Sequence, residues 1–221
     1  MTTQARPTRR FAAFLFDMDG TIISSIASAE RAWTRWAEAH GLDVASFLPT
    51  IHGVRSVDTI RSLGLPGVDP EAEAAAITRA EIEDVGDIAE IPGARAFLRA
   101  LPPERWAIVT SAPRELALRR LDAAAMPVPA LLVAAEDIDQ GKPAPDCFLL
   151  AAERLGVAAP DCLVFEDAPA GIRAGVAAGA SVVVVTATHP APIETRHATI
   201  PHYRALTVDA ARDGLRIDSV G

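Results

Sequence analysis

Several short apolar runs recur along the chain and end in polar residues or glycine. Because these runs show no alternation of apolar and polar positions, they predict strands that are buried on both faces, as in a parallel sheet. The predicted strands span residues 11–16, 106–109, 130–134, 162–165 and 181–185.

Helical patterns separate these predicted strands, at residues 114–125, 146–155 and 170–178. Strands that alternate with helices predict an α/β fold with a doubly wound, Rossmann-like parallel sheet. In such folds ligands bind at the carboxyl ends of the strands. The residues that follow each apolar run are therefore the first candidates for function.

One segment breaks the alternation, because residues 25–90 contain no convincing buried strand. This segment holds three helical stretches, which are separated by glycine and proline and span residues 27–40, 56–63 and 70–84. We expect a small helical domain that is inserted after the first strand, and we name residues 25–90 the helical insert.

The expected domains are therefore the helical insert and an α/β core that consists of residues 1–24 and 91–221. The chain would cross between them near Ser24 and Ser25 and again at residues 91–93, where Ile-Pro-Gly predicts a turn. We expect the hinges at these two crossings.

Composition and charge narrow the function classes. Half of the 221 residues are hydrophobic and 23% are charged, which excludes a disordered chain. With 21 basic and 29 acidic residues the net charge is −8, which argues against nucleic-acid and anionic-membrane partners. No apolar run approaches the roughly 20 residues that span a bilayer.

The N-terminal stretch, residues 1–10, is polar and basic, and we expect it to be a ragged tail rather than a signal peptide. The apolar run at residues 11–16 is too short for a signal peptide and leads directly into Asp17 without a small-residue cleavage site. Two cysteines, Cys147 and Cys162, do not make a disulfide scaffold. These features predict a cytoplasmic protein.

Lys142 is the single lysine, beside 20 arginines. In a chain that uses arginine wherever a surface charge is needed, one retained lysine indicates a position that requires a compact ammonium group.

Polar residues follow four of the predicted strands, where a doubly wound sheet would bring them into one crevice. These residues are Asp17 and Asp19, then Thr110 and Ser111, then Lys142, and finally Glu166 and Asp167. Four carboxylates in one crevice cannot all stay ionised beside a single ammonium group, and a divalent cation would balance the excess. Oxygen ligands without histidine or cysteine favour Mg²⁺, and a magnesium ion, a lysine and hydroxyl groups together favour a phosphate ligand.

Asp17 and Asp19 lie two residues apart, and Gly20 ends the strand. A tight turn would let both side chains face the crevice, where one carboxylate could attack phosphorus and the other could transfer protons. The chain has no Gly-x-x-x-x-Gly-Lys-Ser/Thr pattern, which argues against a P-loop NTPase.

The residues at the strand ends also resemble the four motifs of the haloacid dehalogenase superfamily, in order and over most of the chain. The matching residues are Phe16-Asp17-Met18-Asp19-Gly20-Thr21, the Thr110-Ser111 pair, Gly141-Lys142-Pro143, and Phe165-Glu166-Asp167-Ala168-Pro169. The helical insert resembles the small α-helical cap of the subgroup that contains phosphoglycolate phosphatase and β-phosphoglucomutase.

The resemblance implies a role for each matching residue. Asp17 would be the nucleophile, and Asp19 would protonate the leaving alcohol and then activate water. Ser111 and the backbone of Ala112 would hold the phosphate, with Thr110 as the alternative, and Lys142 would neutralise charge. Gly20 and Thr21 would belong to the phosphate site. Mg²⁺ would be bound by Asp17, Asp167 and the carbonyl of Asp19, with Glu166 supporting its waters.

Residues in the helical insert would select the leaving group, and the resemblance places His52, Gly53, Arg55 and Ser56 there. Thr21 is typical of the phosphatases, whereas the mutases tend to carry valine at this position. The mutases also carry a histidine where this chain has Ala29. Hydrolysis is therefore favoured over a β-phosphoglucomutase-like phosphotransfer, and a non-catalytic sugar-phosphate sensor is the third alternative.

The motifs look most similar to hexitol- and sugar-phosphate phosphatases and to yeast-type glycerol-3-phosphate phosphatases. This similarity implies a substrate that is a small hexitol, hexose or glycerol phosphate. We expect a monomer or a weak homodimer.

The lone lysine generates a first prediction. Lys142→Arg should severely reduce phosphate release although it keeps the positive charge, because a planar guanidinium cannot replace a compact ammonium group. The measurement is kcat/KM for a phosphorylated substrate. A mild effect would show that the single lysine is a coincidence of composition.

Overall fold

The computed structural model describes residues 9–189, 191 and 193–219. Most of the predicted N-terminal tail, residues 1–8, lies outside the described residues. The described strands are β1 (Ala13–Phe16), β2 (Ile23–Ser24), β3 (Ala89–Glu90), β4 (Trp106–Val109), β5 (Leu132–Val133), β6 (Cys162–Glu166), β7 (Ser181–Val185), β8 (Ala198–Ile200), β9 (Leu206–Ala211) and β10 (Gly214–Ser219). The described helices are α1 (Ile26–Ala39), α2 (Val44–Phe47), α3 (Ser56–Leu63), α4 (Pro70–Glu83), α5 (Ala94–Arg99), α6 (Arg114–Ala123), α7 (Asp146–Arg154) and α8 (Pro169–Ala177).

Six strands form a sheet in the order β5-β4-β1-β6-β7-β8, and every pair in it is parallel. This arrangement confirms the predicted Rossmann-like α/β core. Strand β1 lies between β4 and β6, so the carboxyl ends of these three strands meet at one edge of the sheet. The first motif of the sequence therefore lies at the centre of that edge.

Burial on both faces explains why β1 shows no alternation in its sequence. Phe14 and Phe16 pack into the core on one face of the sheet, whereas Ala13 and Leu15 pack into the core on the other. All four side chains are fully buried. A strand covered on both faces needs apolar residues at every position.

An aromatic cluster fills the first of these two cores. The rings of Phe16 and Phe165 stack with centroids 4.5 Å apart, and Phe97 of α5 stacks on Phe14 at 6.3 Å. Tyr203, which follows β8, closes the cluster at 5.4 Å from Phe97. Aromatic contacts of this kind add to the free energy gained from burial.

Helices α1–α4 pack against one another around a third apolar cluster. Trp33 and Trp36 are buried in it, with ring centroids 5.6 Å apart, and they contact Phe47. Strands β2 and β3 form a short antiparallel pair, in which Ser24 lies opposite Ala89. The two chain segments that connect the helical insert to the sheet therefore run side by side.

Seven elements were not predicted from the sequence, namely α2, α5, β2, β3, β8, β9 and β10. Helix α5 has only six residues, which is too short for a clear helical period. Strands β9 and β10 form a hairpin with charged residues, such as Asp209 and Arg216, whose side chains pair at 3.1 Å. In the described parts of the chain, no helix combines the length and the apolar character needed to cross a membrane.

The aromatic cluster generates a prediction about stability. Phe97→Ala should lower the free energy of unfolding by about 3–5 kcal/mol, because it removes a buried ring and leaves a cavity. The measurement is urea unfolding followed by circular dichroism. Leu118→Ala on α6, where the side chain is 41% exposed, is the control and should change the same quantity by about 0.5 kcal/mol or less. Equal effects of the two substitutions would contradict the packing described here.

Candidate active site

The ammonium group of Lys142 joins three of the strand ends. Its Nζ donates to Asp17 Oδ1 at 2.6 Å, to Glu166 Oε1 at 2.8 Å and to the carbonyl oxygen of Val109 at 3.2 Å. The lysine side chain is 1% exposed. All three ammonium hydrogens thus have acceptors, which a buried ammonium group requires.

Glu166 is held by the protein on both oxygens. Oε1 accepts from Lys142, and Oε2 accepts from the backbone amides of Asp167 and Ala168 at 2.8 and 2.9 Å. Gly171 on α8 leaves room for this carboxylate, since a Cβ there would lie 1.5 Å from Oε1. Any alanine at position 171 would displace Glu166.

Asp17, Glu166 and Asp167 each place a carboxylate oxygen within 4.8 Å of the others, and all three residues are buried. Three carboxylates and the single ammonium group of Lys142 leave a charge of −2. Burial, followed by repulsion from Glu166, raises the pKa of Asp17 to about 7. The same two causes raise the pKa of Asp167 well above its usual range. A buried set of hard oxygen donors with this charge fits one divalent cation.

The pKa of the Lys142 ammonium group is also raised, which favours its charged form. Burial alone lowers the pKa of Lys142, but the carboxylates of Asp17 and Glu166 outweigh burial, and the net pKa is raised. The lysine therefore stays charged at every physiological pH.

Gly20 and Thr21 lie against Asp167. The Thr21 hydroxyl donates to Asp167 Oδ1 at 3.2 Å. Gly20 has φ +86°, and a Cβ on it would lie 2.0 Å from Asp167 Oδ2. Neither residue lines the cavity, and their contacts fix the direction of the Asp167 carboxylate.

A cavity of about 80 Å³ lies between the strand ends and the helical insert. On the scale of about 15 Å³ per water, it holds on the order of five waters. It is lined by both Asp17 and Asp19 and also by Thr110, Ser111, Ala112, His52, Gly53, Ser56 and Asp167. The structure thus brings together most of the predicted site residues around one cavity.

The two hydroxyl residues after β4 have different partners. Thr110 is buried, and its hydroxyl accepts from the amide of Ala112 at 3.0 Å. The Ser111 hydroxyl donates to the carbonyl of Gly53 at 3.0 Å, across the boundary with the helical insert. Of the two, Ser111 is the residue whose hydroxyl links the sheet edge to the helical insert.

Arg55 was expected to contact substrate, but the structure directs its side chain away from the cavity. Its guanidinium pairs with Asp58 at 2.6 Å and donates to the carbonyls of Ile138 and Asp139 at 2.9 and 2.8 Å. The structure therefore does not place Arg55 at the cavity, because its guanidinium donates to carbonyls of the loop that precedes Lys142.

His52 does line the cavity, as expected. Its Nε2 lies 3.8 Å from Glu30 Oε1, and its pKa is lowered chiefly by burial. Ala29, which stands where mutases carry histidine, also lines the cavity.

Asp19 is held by residues that the sequence did not single out. Its Oδ1 accepts from the Ser25 hydroxyl at 2.5 Å and from Arg120 Nη1 at 3.0 Å. Arg120 lies on α6, and its Nη2 is 3.2 Å from Glu81 Oε1 on α4. Burial raises the pKa of Glu81, which is 4% exposed. One guanidinium therefore connects Asp19 with the helical insert.

A sequence signal for Arg120 and Glu81 exists in retrospect. Arg120 lies four residues after Leu116, and Glu81 lies four residues after Ile77, so each shares a buried helix face with an apolar residue. A charged residue on such a face is rarely buried without a partner. Tyr203 carried no comparable signal, although its hydroxyl is buried without a partner among the described residues.

Comparison with known proteins gives concordant matches. A family model for haloacid dehalogenase-like hydrolases matches residues 11–179. Hexitol phosphatase A of Escherichia coli (strain K12) is 41% identical over 187 residues, which are 83% of this chain and 87% of that protein. Glycerol-1-phosphate phosphohydrolase 1 of Saccharomyces cerevisiae is 34% identical over 188 residues, which are 80% of this chain and 75% of that protein.

A solved structure, a hydrolase from Pseudomonas syringae, superposes with a TM-score of 0.72 at 26% identity and covers 80% of this chain and 84% of that one. The family resemblance that was predicted from the four motifs is confirmed, and so is the predicted enzyme class, a phosphatase. The chain belongs to the family of haloacid dehalogenase-like hydrolases.

Proposed function

We propose that the protein is a Mg²⁺-dependent phosphomonoesterase that hydrolyses a small sugar or polyol phosphate through an aspartyl-phosphate intermediate. The observation that carries the proposal is the position of Asp17, a buried carboxylate that lines the cavity between Lys142 and Asp19. The names of the relatives support the substrate class, because they refer to hexitol and glycerol phosphates.

Asp17 would act as the nucleophile. Lys142 holds its Oδ1, while no hydrogen bond from the described residues reaches its Oδ2. An oxygen of this carboxylate forms the bond to phosphorus as the bond between phosphorus and the leaving oxygen breaks. The first step yields an aspartyl phosphate and a free alcohol.

Asp19 would supply the proton that the leaving alkoxide takes up, and would then accept a proton from water. That water attacks the phosphorus of the aspartyl phosphate, which releases inorganic phosphate and restores Asp17. Ser25 and Arg120 both bind Asp19 Oδ1, which fixes the direction of its carboxyl group.

Mg²⁺ would be held by Asp17 and Asp167, with the carbonyl of Asp19 and with Glu166 nearby. When bound, it withdraws electron density from the phosphoryl oxygens and balances the charge of −2. Lys142, Ser111 and the amide of Ala112 would hold the phosphate, and Thr110 is the alternative hydroxyl. Gly20 and Thr21 would orient Asp167.

The helical insert would act as a cap that closes over the site and excludes water. A phosphorylated polyol needs more room than the cavity of about 80 Å³ provides, so it enters only when the helical insert moves away. The side-by-side pair of β2 and β3 marks where such a hinge would bend. His52, Gly53 and Ser56 would then face the leaving group.

Two alternatives are disfavoured by specific contacts. A β-phosphoglucomutase-like transfer needs a second phosphate site, but Arg55 is taken up by Asp58 and backbone carbonyls, and Ala29 offers no proton-transferring group. A non-catalytic sensor would need neither the nucleophile Asp17 nor the acid–base residue Asp19. We further infer a cytoplasmic monomer or weak homodimer without nucleic-acid or membrane partners, from the net charge of −8 and the two buried cysteines.

Replacement of the nucleophile tests the mechanism. Asp17→Asn should lower phosphate release by at least about 1000-fold, because an amide does not form the covalent intermediate. The assay measures inorganic phosphate from hexitol, hexose and glycerol phosphates in the presence of Mg²⁺. Asp122→Asn is the control, since that side chain is 84% exposed.

Wild-type rates in the Asp17 variant would refute covalent catalysis. Transfer of labelled phosphate to another sugar position, instead of to water, would identify the mutase. No release from any of these phosphates would favour the sensor.

Metal binding can be measured without turnover. At a concentration of about 100 times its Kd, Mg²⁺ should stabilise the protein by about 2.7 kcal/mol, which raises Tm by roughly 5 °C or more. Asp167→Asn should abolish this shift, because it removes one of the three clustered carboxylates. The measurement is thermal unfolding with EDTA and with Mg²⁺, and an unchanged Tm in the wild type would contradict the metal site.

A further inference from the structure

Glu81 and Arg120 form a buried ion pair in the wall of the cavity, on the side of Asp19. Glu81 comes from α4 in the helical insert, and Arg120 comes from α6 beside the sheet. Both residues are 4% exposed and both line the cavity. The expected substrate-selecting residues lie elsewhere, on the loop at residues 52–56.

Several hydrogen-bonding atoms of this pair have no hydrogen-bond partner among the described residues. Nε and Nη2 of Arg120 are buried and make no hydrogen bond with the described residues, although Nη2 lies 3.2 Å from Glu81 Oε1. Within the described ranges, the Glu81 carboxylate takes part in the ion pair through Oε1. Buried polar groups without a partner destabilise a fold, so a purely structural pair would be expected to satisfy them.

The atoms that are free to form hydrogen bonds include both donors and acceptors. Arg120 carries the donors and Glu81 the acceptors, and both residues line the cavity next to the proton-transferring carboxylate of Asp19. Because the pair joins the helical insert to α6, a movement of the insert that admits a substrate would uncover the buried nitrogens of Arg120. A hydroxyl group both donates and accepts, so adjacent hydroxyl groups of one ligand would satisfy the pair. An alkyl chain would leave it unsatisfied.

The local charge points in the same direction. Asp19 must hold a proton in order to act as the acid, so the wall carries one negative charge on Glu81 beside the single positive charge of Arg120. A neutral wall offers no net positive charge to a second phosphate or a carboxylate on the leaving group. A neutral, hydroxyl-rich leaving group is the chemistry that this wall accepts.

We propose that Glu81 and Arg120 form the subsite that binds the hydroxyl groups of a neutral polyol leaving group and thereby set the substrate preference. This inference rests on the proposed phosphatase function and identifies which part of the substrate is recognised.

Two substrates that differ only in hydroxyl groups test the proposal. Glycerol 1-phosphate and n-propyl phosphate have the same carbon chain, and both leave as alkoxides that need a proton from Asp19. The wild type should prefer glycerol 1-phosphate by at least about 100-fold in kcat/KM, since a site built for hydroxyl groups rejects the analogue that lacks them.

Glu81→Met should lower kcat/KM for glycerol 1-phosphate by at least about 10-fold and change that for n-propyl phosphate by less than about 3-fold. Glu81→Gln, which keeps one acceptor oxygen, should fall between Glu81→Met and the wild type. Glu83→Met is the control, because Glu83 lies on the same helix with an exposed side chain, and it should leave both values unchanged.

Equal losses on both substrates would overturn the proposal and would assign Glu81 a role in positioning Asp19 through Arg120. Unchanged values in both Glu81 variants, or a wild type that does not discriminate between the substrates, would also overturn it. Near-ultraviolet circular dichroism shows whether Glu81→Met is folded; if it is not, Glu81→Gln and the wild-type preference decide. If the wild type releases phosphate from neither substrate nor from a hexitol phosphate, the proposed function itself fails.

Discussion

The buried ammonium group of Lys142 is the interaction on which the rest of the site depends. It bridges Asp17, which follows β1, and Glu166, which ends the neighbouring strand β6. It also binds the carbonyl of Val109 at the end of β4. Without it, three clustered carboxylates would repel one another in a low-dielectric interior. The net charge that remains is what makes the site complementary to a divalent cation.

The helical insert meets the core through the apolar residues Ile82, Val85 and Ile88 and also through a few polar contacts. Ser111 binds the carbonyl of Gly53, Arg55 binds the carbonyls of Ile138 and Asp139, and Arg120 approaches Glu81. Polar contacts of this kind are weak in water and strong when water is excluded. They can therefore hold a closed state over a bound ligand and still release it, which suits an enzyme that must admit and expel small molecules.

Much of the α/β core could be predicted, because strands buried on both faces produce uninterrupted apolar runs and because the polar residues that follow them stand out. The hairpin of β9 and β10 was not predicted because its buried residues, such as Leu215 and Ile217, alternate with charged residues and do not form an uninterrupted apolar run. Arg120 and Glu81 were not predicted because they lie 39 positions apart on different helices. Each looks like an ordinary charged residue of its own helix. Arg55 was placed near substrate by motif position alone, which does not determine where a long side chain points.

The amino-acid sequence by itself determined the parallel sheet, the four groups of polar residues at its edge and the chemistry that they can perform, because these depend on local periodicity and residue type. Only the tertiary structure decided which oxygen of each carboxylate is already occupied, that Gly20 and Thr21 orient Asp167, and that Glu81 and Arg120 line the cavity. Those outcomes depend on distances between residues far apart in the chain, and such distances are set by packing of whole elements, which a local pattern does not encode.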